Sequence, residues 1–189
     1  MIKQLSEEEI KARPAKLKNN YKPRDIDAEI FDKLKIKNMK LYTDGGCRVH
    51  SDKTPGAHAC IVVNDENKSI LEYNSGIEWN TTNNEQELMA MRKALQLVRR
   101  GNWSGCTIYT DSEYVKKGLT EWCKSWKNNK WRTSTNKDVK NKELWVELDA
   151  LYTAKGGMIE IKWVRAHNGN QWNEAVDALC TNIIDKFTR

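Results

Sequence analysis

The amino-acid sequence predicts an α/β fold, a mixed five-stranded sheet whose first three strands are antiparallel, with helices on both faces. Three observations lead to this expectation. Three β-type segments come first with no helical segment between them, β-type and helical segments then alternate, and a helical segment comes last. Strands that follow one another without a helix commonly pair antiparallel, whereas strands joined through helices pair parallel. The length of 189 residues, 39% of them hydrophobic, suits one domain with a single core.

The predicted strands start at Met39. A first strand covers residues 39–44 and ends at Gly45-Gly46, and residues 57–64 and 69–77 form a hairpin across a polar turn. The segments that follow are a helix over 84–100, a strand over 106–111, helices over 112–127 and 142–155, a strand over 158–164 and a helix over 172–187. We therefore assign residues 39–189 to one main domain and residues 1–38 to an N-terminal extension.

Composition disfavours several classes of protein. The longest apolar run is five residues, 59–63, which is too short to span a membrane. The start of the chain turns acidic at residues 7–9 and has no apolar stretch of the secretory type. The five cysteines include no C-x-x-C pair, which argues against a disulfide framework and against a zinc site. We expect a reduced, cytoplasmic protein, with a nuclear or organellar location as the alternatives.

Positive charge is concentrated in residues 112–142, called the basic segment below. The formal net charge of the chain is +6, and this segment alone holds nine basic and three acidic residues, so the rest of the chain is balanced. The segment also holds three of the eight tryptophans, Trp122, Trp126 and Trp131. Because cations displace the counterions of phosphates and flat rings stack on sugars or bases, the basic segment predicts a polyanion-binding surface. The alternative is an ordinary solvated helix whose tryptophans pack inside the protein.

Two of the predicted strands end in the same three residue types, Tyr-Thr-Asp, at Asp44 and Asp111. If these strands are adjacent and parallel, their spacing of about 4.8 Å brings both carboxylates together at one end of the sheet. Such a pair can bridge divalent ions about 3.5–4 Å apart. An aspartate after a strand is also a common turn or cap residue, and each of the two taken singly fits that alternative.

Three further polar residues are candidates for chemistry. Glu87 lies on the apolar face of its predicted helix with Met91 and Leu95, and a buried carboxylate is costly unless it is paired or metal-bound. As a first-turn residue it could instead reach the rim or interact with the helix dipole. Asp177 lies at the edge of the apolar stripe of the last helix, a common place for a solvated carboxylate. His167, in a polar loop after a strand, suits proton transfer, and an ordinary exposed histidine is the alternative.

Four motifs contain these residues. They are Tyr42-Thr43-Asp44-Gly45-Gly46-Cys47, Thr81-Thr82-Asn83-Asn84-Glu85-Gln86-Glu87-Leu88, Thr110-Asp111-Ser112, and Ala166-His167-Asn168-Gly169 followed by Asn173, Glu174 and Asp177. In order and spacing, the motifs resemble those of the type 1 ribonucleases H. The resemblance runs from about Met39 to Phe187 and implies a ribonuclease H-like fold.

The resemblance implies an endonuclease that cleaves the RNA strand of RNA–DNA hybrids and leaves 5′-phosphate and 3′-hydroxyl ends. It places four residues at the family's metal-ligand positions, for two Mg²⁺ ions that Mn²⁺ can replace. These residues are Asp44, Glu87, Asp111 and Asp177. His167 matches the family's mobile histidine, and Glu87 also helps to sense the ribose 2′-hydroxyl, the group that distinguishes RNA from DNA.

The resemblance also aligns the basic segment with the family's substrate-binding protrusion, often called the basic handle. The implied substrate contacts are Tyr114, Trp122 and Trp126 along a channel for the DNA strand, Thr82 and Asn141 at a DNA phosphate, and Asn83 and Asn84 at the minor groove and 2′-hydroxyls. Such contacts read backbone and groove shape rather than base sequence. The expected partner is an RNA–DNA hybrid duplex, bound by a monomer without membrane association.

The chain departs from the family pattern at three places. Residues 50–56 replace the usual Asn-Pro-Gly-x-Gly-Gly stretch, Asn80 stands where an arginine commonly supports the phosphate pocket, and Glu113 stands where glutamine is frequent. These changes affect substrate contacts and no implied metal ligand. Two other functions are alternatives: a catalytically silent hybrid-binding module, and another nuclease or integrase with the same sheet architecture, which fold alone does not separate.

The N-terminal extension has a local pattern of its own. Ser6 and Glu9 form a capping box for a short helix that Pro14 ends, and an apolar stripe over 26–34 predicts a second short helix. Ten basic and seven acidic residues give the extension a net charge of +3. Docking on the main domain, contact with nucleic acid and recruitment of a protein partner are all open for this segment.

Overall fold

The computed structural model describes residues 38–49, 53–101, 103, 105–155 and 157–188. Its elements in chain order are β1 (Met39–Cys47), β2 (Gly56–Val63), β3 (Ser69–Asn74), α1 (Asn83–Arg100), β4 (Cys106–Thr110), α2 (Glu113–Lys117), a π-helical turn (Gly118–Trp122), α3 (Cys123–Asn128), α4 (Lys142–Thr153), β5 (Ile159–Trp163) and α5 (Gln171–Thr188). The two short helices predicted before residue 38 lie outside the described residues. Within the described part of the chain, no helix has the length and apolar character needed to cross a membrane.

The strands form one mixed five-stranded sheet in the order β3-β2-β1-β4-β5. β2 pairs antiparallel with both β1 and β3, so the first three strands are antiparallel. β4 pairs parallel with β1 and with β5, as expected for strands that are reached through helices. The predicted sheet is therefore confirmed, with β1 in its centre.

Helices cover both faces of the sheet, as the sequence predicts. α1 packs on one face with α4 beside it, and Leu41 of β1 shares that core with Trp145 of α4. α5 covers the opposite face, where Tyr42 of β1 packs with Val176. Leu41 and Tyr42 point to opposite faces because successive side chains of a strand alternate. Burial on both faces explains why β2 is buried at every position along its length.

Two strand ends differ from the prediction by more than one residue. β1 continues through Gly45 and Gly46 to Cys47, because these residues extend the ladder opposite residues 56–58 of β2. Placing the end of the strand at the two glycines was wrong. β3 stops at Asn74, three residues sooner than predicted. Asn74 Oδ1 accepts a hydrogen bond from the Gly76 nitrogen, and Gly76 adopts a positive φ of 72°, which turns the chain away from the sheet.

The helix predicted over 112–127 forms, but a π-helical turn interrupts it between α2 and α3. The turn begins at Gly118, which lies against the fully buried ring of Trp145. A Cβ atom on residue 118 would lie 1.9 Å from Cη2 of that ring. The absence of a side chain at Gly118 therefore allows the basic segment to close over Trp145.

We expect Gly118→Ala to lower the free energy of unfolding by about 1–3 kcal/mol, because the added methyl group overlaps the Trp145 ring in a packed core. Gly105→Ala is the matched control. A Cβ atom there meets nothing within 4 Å, so its effect should stay within about 0.5 kcal/mol. Urea unfolding followed by far-UV circular dichroism measures both, and equal stabilities of the two variants would contradict the packing at Gly118.

Candidate active site

β1 and β4 bring two aspartates together at one end of the sheet. Thr43 of β1 lies opposite Thr110 of β4 in parallel register, so the residues that follow are Asp44 and Asp111. Thr43 Oγ1 also donates a hydrogen bond to the carbonyl oxygen of Tyr109, at 3.2 Å, which links the same two strands. Asp44 is still within β1 and only 9% exposed. The condition on which the two carboxylates meet, that β1 and β4 are adjacent and parallel, is therefore fulfilled.

Glu87 reaches the same place from the start of α1, because this helix lies directly on β1. A Cβ atom on Gly45 would lie 2.3 Å from the carbonyl carbon of Gln86 and 2.5 Å from the backbone nitrogen of Glu87. Only a residue without a side chain permits this approach of helix and strand. Gly45, the residue after Asp44, therefore allows Glu87 to lie beside the aspartates.

Asp44, Glu87 and Asp111 form what we call the carboxylate cluster. Each residue contributes an oxygen atom, and these atoms lie within 4.8 Å of one another. Glu87 Oε2 is buried without a hydrogen-bond partner. In the part of the chain that the structure describes, no lysine, arginine or histidine forms an ion pair with these three residues. The cluster thus combines concentrated negative charge, burial and an unsatisfied oxygen.

Burial and nearby negative charge disfavour the charged forms of Asp44 and Glu87. Burial, followed by the negative charges of Asp111 and Asp177, raises the pKa of Asp44 to about 7. Burial, followed by the charges of Asp44 and Asp111, raises the pKa of Glu87 well above its ordinary value. Carboxylate oxygens are the preferred ligands of hard divalent cations, whose charge would offset this repulsion. The residues present therefore fit a divalent metal site.

Asp177 approaches the carboxylate cluster from α5. Its charge acts on Asp44, although its oxygens are not among those that meet within 4.8 Å. Asp177 Oδ1 lies 3.4 Å from Thr181 Oγ1, one turn further along the helix. The side chain is half-buried at the edge of the buried stripe, as its position in the sequence suggests. Its role as a fourth ligand stays a prediction.

Three side chains without a role predicted from the sequence hold the two aspartates in place. Asn173 Nδ2 donates a hydrogen bond to Asp111 Oδ2 at 3.1 Å, and Trp163 Nε1 donates to the carbonyl oxygen of Asp111 at 2.8 Å. Cys180 Sγ donates to the carbonyl oxygen of Asp44 at 3.2 Å. Asn173 could have been found as a polar residue on the buried face of α5. No local pattern in the sequence predicts the contacts of Trp163 and Cys180.

His167 lies in the loop between β5 and α5, which leaves the sheet at the end where Asp111 follows β4. Its backbone has a φ of 51°, and Gly169 has a φ of 75°. The loop is anchored behind His167, since the Gly169 nitrogen donates to Glu174 Oε1 at 3.0 Å. The imidazole itself is exposed. The structure therefore places His167 on a short anchored loop, and its catalytic role stays a prediction.

The implied substrate contacts at the start of α1 have defined hydrogen-bonding capacity. Thr82 is the N-cap of the helix and accepts from the Glu85 nitrogen at 3.2 Å, so its hydroxyl hydrogen can still be donated. Asn83 Oδ1 accepts from the Cys47 nitrogen at 2.7 Å, which leaves its amide nitrogen as a donor. Asn84 is exposed beside them. This edge of the cluster therefore presents donors, which suits an acceptor-rich ligand.

The aromatic residues of the basic segment are in contact with one another. Between ring centroids, Trp122 lies 5.9 Å from Tyr114 and 5.7 Å from Trp126. Buried Trp145 packs at 5.2 Å from Tyr114 and 5.4 Å from Trp126, and its Nε1 donates to the Tyr114 hydroxyl. Tyr114, Trp122 and Trp126 are half-buried. Each of these three rings therefore packs against the protein and still has surface exposed to solvent.

Many cations of the basic segment are available to a ligand. Lys117 pairs with Glu113 at 2.6 Å and Lys127 with Asp149 at 2.8 Å. Five lysines are exposed and form no ion pair within the described part of the chain, namely Lys124, Lys130, Lys137, Lys140 and Lys142. Asn141 precedes α4 with a φ of 56° and makes no side-chain cap bond there. The ion pair with Lys117 partly neutralises Glu113, one of the departures from the family pattern.

Comparisons with known proteins agree with this architecture. The family model described as RNase H matches residues 36–184. The ribonuclease H of Francisella philomiragia is 42% identical over 154 residues, which cover 82% of this chain and 95% of that relative. Among solved structures, LC9-RNase H1, a type 1 RNase H with the type 2 active-site motif, has a TM-score of 0.64 at 22% identity, covering 82% of this chain and 75% of its own. LC11-RNase H1, solved in complex with RNA/DNA hybrid, has a TM-score of 0.59 at 17% identity, covering 80% of this chain and 100% of its own. The resemblance carried by the four motifs is confirmed, and the chain belongs to the ribonuclease H family.

Proposed function

We propose that the protein hydrolyses the RNA strand of RNA–DNA hybrids at the carboxylate cluster, with divalent metal ions as cofactor. The observation that carries this proposal is the meeting of Asp44, Glu87 and Asp111 within 4.8 Å, with no cationic partner among the described residues and with Glu87 Oε2 unsatisfied. The relative named Ribonuclease H and the neighbour solved with RNA/DNA hybrid support the choice of substrate.

The cluster and Asp177 together would hold two Mg²⁺ ions, for which Mn²⁺ can substitute. When bound, the ions supply activation of the attacking water and stabilisation of the leaving 3′-oxygen, so that the products carry 5′-phosphate and 3′-hydroxyl ends. The role of the protein is to hold the oxygen ligands in place. Asn173 and Trp163 hold Asp111, and Cys180 holds the backbone of Asp44, through the hydrogen bonds described above.

Two residues would act on the substrate directly at the scissile bond. The ring nitrogen of His167 would carry a proton to the leaving 3′-oxygen, a role to which an imidazole is suited. Its exposed position on the anchored loop leaves room for the substrate to enter. Glu87 would accept a hydrogen bond from the ribose 2′-hydroxyl, the group that separates RNA from DNA.

Recognition of the DNA strand would fall to the basic segment. The exposed surfaces of Tyr114, Trp122 and Trp126 offer flat apolar contacts to deoxyribose, and the exposed lysines attract phosphates. Thr82 and Asn141 would bind a DNA phosphate, while Asn83 and Asn84 would contact the minor groove and 2′-hydroxyls. These contacts involve backbone and groove rather than base edges, so cleavage would depend on duplex type and little on sequence. A monomer is sufficient for this mode of binding.

A catalytically silent hybrid-binding module is the second candidate, because the basic segment alone could bind a duplex. The carboxylate cluster speaks against it. Three acidic side chains beside a phosphate backbone would repel a ligand that is only bound, and their burial would bring no gain without a cation.

We expect Asp44→Asn to lower cleavage of RNA in the hybrid by well over 100-fold while hybrid binding is retained. Loss of a residue that merely supports a metal ligand costs about 10–100-fold, and loss of a ligand should cost more. The measurement is cleavage of strand-labelled hybrid, duplex DNA and duplex RNA in Mg²⁺ and in EDTA. Asp65→Asn, a change to an exposed carboxylate in the turn after β2, is the control. Tight hybrid binding without cleavage by the wild type in any divalent ion would support the silent module instead.

The repulsion within the cluster should also appear in the pH dependence of stability without metal. The pKa of Asp44 is about 7 in the folded protein and 3.8 ordinarily, so its neutral form favours folding. That stabilisation is complete below pH 3.8 and is lost as the pH rises through about 7. In EDTA above pH 7, Asp44→Asn should therefore unfold at higher urea than the wild type, and the difference should shrink on acidification. Saturating Mg²⁺ should stabilise only the wild type. A stability difference that is independent of pH would contradict the repulsion.

Substitution of the half-buried rings tests the proposed DNA channel. We expect Trp122→Ala to weaken hybrid affinity by about 1–3 kcal/mol, the contribution of one stacked contact, and Trp122→Phe to restore most of it. Fluorescence anisotropy with labelled hybrid in EDTA measures affinity, and circular dichroism checks that both variants fold. Unchanged affinity in a folded Trp122→Ala variant would show that the ring serves packing alone.

A further inference from the structure

A chain of buried polar side chains lies beneath the first turn of α1. His58 Nδ1 lies 2.8 Å from Gln86 Oε1, and Gln86 Nε2 lies 2.9 Å from both Glu78 Oε2 and Thr81 Oγ1. Thr81 Oγ1 in turn lies 2.9 Å from Glu85 Oε2. Gln86 is completely buried and His58 is 3% exposed. These residues join β2, the loop before α1 and the helix itself.

The direction of every hydrogen bond in this chain follows from its chemistry. The Glu78 carboxylate accepts, so the Gln86 atom that faces it is the amide nitrogen, and Gln86 Oε1 must face His58. His58 Nδ1 then carries the hydrogen and donates to Gln86 Oε1, and burial lowers the pKa of this histidine. Thr81 accepts from Gln86 and donates to Glu85. Gln86 therefore has both amide hydrogens and its oxygen satisfied, and its side chain has one orientation.

The hydrogen-bonded side chain is that of Gln86, which directly precedes Glu87 in α1. The peptide between Gln86 and Glu87 is the part of α1 that touches β1 at Gly45, beside Asp44. A Cβ atom on Gly56 of β2 would lie 3.0 Å from Gln86 Cγ, so the stem of Gln86 is held closely as well. Backbone contact at Gly45 limits how near the helix can come to the strand. The hydrogen bonds of Gln86 limit how far the helix can rotate or slide, which nondirectional apolar packing at this point would not do.

We propose that Gln86, held by His58, Glu78 and Thr81, is a positioning residue that sets Glu87 opposite Asp44 and thereby sets the affinity of the site for divalent cations. The inference rests on the proposed function, because it assigns Gln86 a part in the same metal site. Gln86 touches neither the substrate nor the reacting atoms. It acts only through the place that the first turn of α1 gives to Glu87.

The first experiment compares the same substitution at two positions of one helix. Gln86→Leu should weaken Mg²⁺ binding about 10-fold, the usual cost of losing a group that orients a metal ligand. Gln96→Leu is the matched control, since Gln96 is a half-buried residue of α1 whose side chain donates to Glu147 at 3.4 Å, away from the carboxylate cluster. Isothermal titration with Mg²⁺ gives the affinity, and the rise in melting temperature on adding Mg²⁺ gives a second readout. Lower melting temperature with unchanged Mg²⁺ affinity in Gln86→Leu would overturn the inference.

A second pair of variants covers the case in which Gln86→Leu does not fold. Glu78 has a partly exposed side chain, so its removal leaves no closed cavity. Glu78→Ala removes one of the two acceptors of Gln86 and should weaken Mg²⁺ binding, whereas Glu78→Gln keeps an acceptor oxygen and should restore it. Equal Mg²⁺ affinity of the two Glu78 variants would contradict the inference.

Cleavage assays on the same proteins separate this inference from the proposed function. A wild type that cleaves hybrid, beside a Gln86→Leu variant with normal Mg²⁺ affinity, would overturn the positioning role alone. A wild type that binds Mg²⁺ but cleaves no hybrid, beside a Gln86→Leu variant with weakened binding, would overturn the proposed function alone.

Discussion

The repulsion among Asp44, Glu87 and Asp111 is the constraint on which the rest of the site depends. Three acidic side chains meet within 4.8 Å in a largely buried place, and the described residues supply no cation to balance them. These side chains would not stay close together without the surrounding fold, since each negative charge disfavours another one beside it. The scaffold must therefore hold the three carboxylates close together against their repulsion. It does so through the parallel register of β1 with β4 and the close packing of α1 on Gly45.

The neighbours of the cluster share one property, which is that they bond to the acids without neutralising them. Asn173, Trp163 and Cys180 are uncharged hydrogen-bond donors, and they fix an oxygen or a backbone carbonyl while they leave the negative charge in place. A cationic side chain paired with the carboxylates would neutralise them and would compete with a metal ion for their oxygens. The uncompensated negative charge lowers the stability of the metal-free protein and also makes the site attract divalent cations. Such a loss of stability is common at functional sites.

The carboxylate cluster and the basic segment are separate parts of the molecule that suit different parts of a duplex ligand. The cluster lies at one end of the sheet, while the five exposed lysines without an ion pair in the described part of the chain belong to the basic segment, which packs through Trp145 and Gly118 onto α4. The same rings that close this part of the core keep an exposed surface, so packing fixes the orientation of the proposed DNA contacts. Rings held by a buried partner lose little conformational freedom when a ligand stacks on them, which favours binding.

Local patterns in the sequence determined the fold class, the antiparallel pairing of the first three strands and the places of Asp44, Glu87 and Asp111 in their elements, because periodicity and strand ends depend on residues close along the chain. The tertiary structure alone decided other features. Gly45 and Gly46 resemble a turn locally, yet β2 draws them into the sheet. Gln86 and His58 are 28 residues apart, and Asn173 and Asp111 are 62 apart. Nothing near either residue predicts such a partner, since the hydrogen bonds form only when packing brings distant segments together.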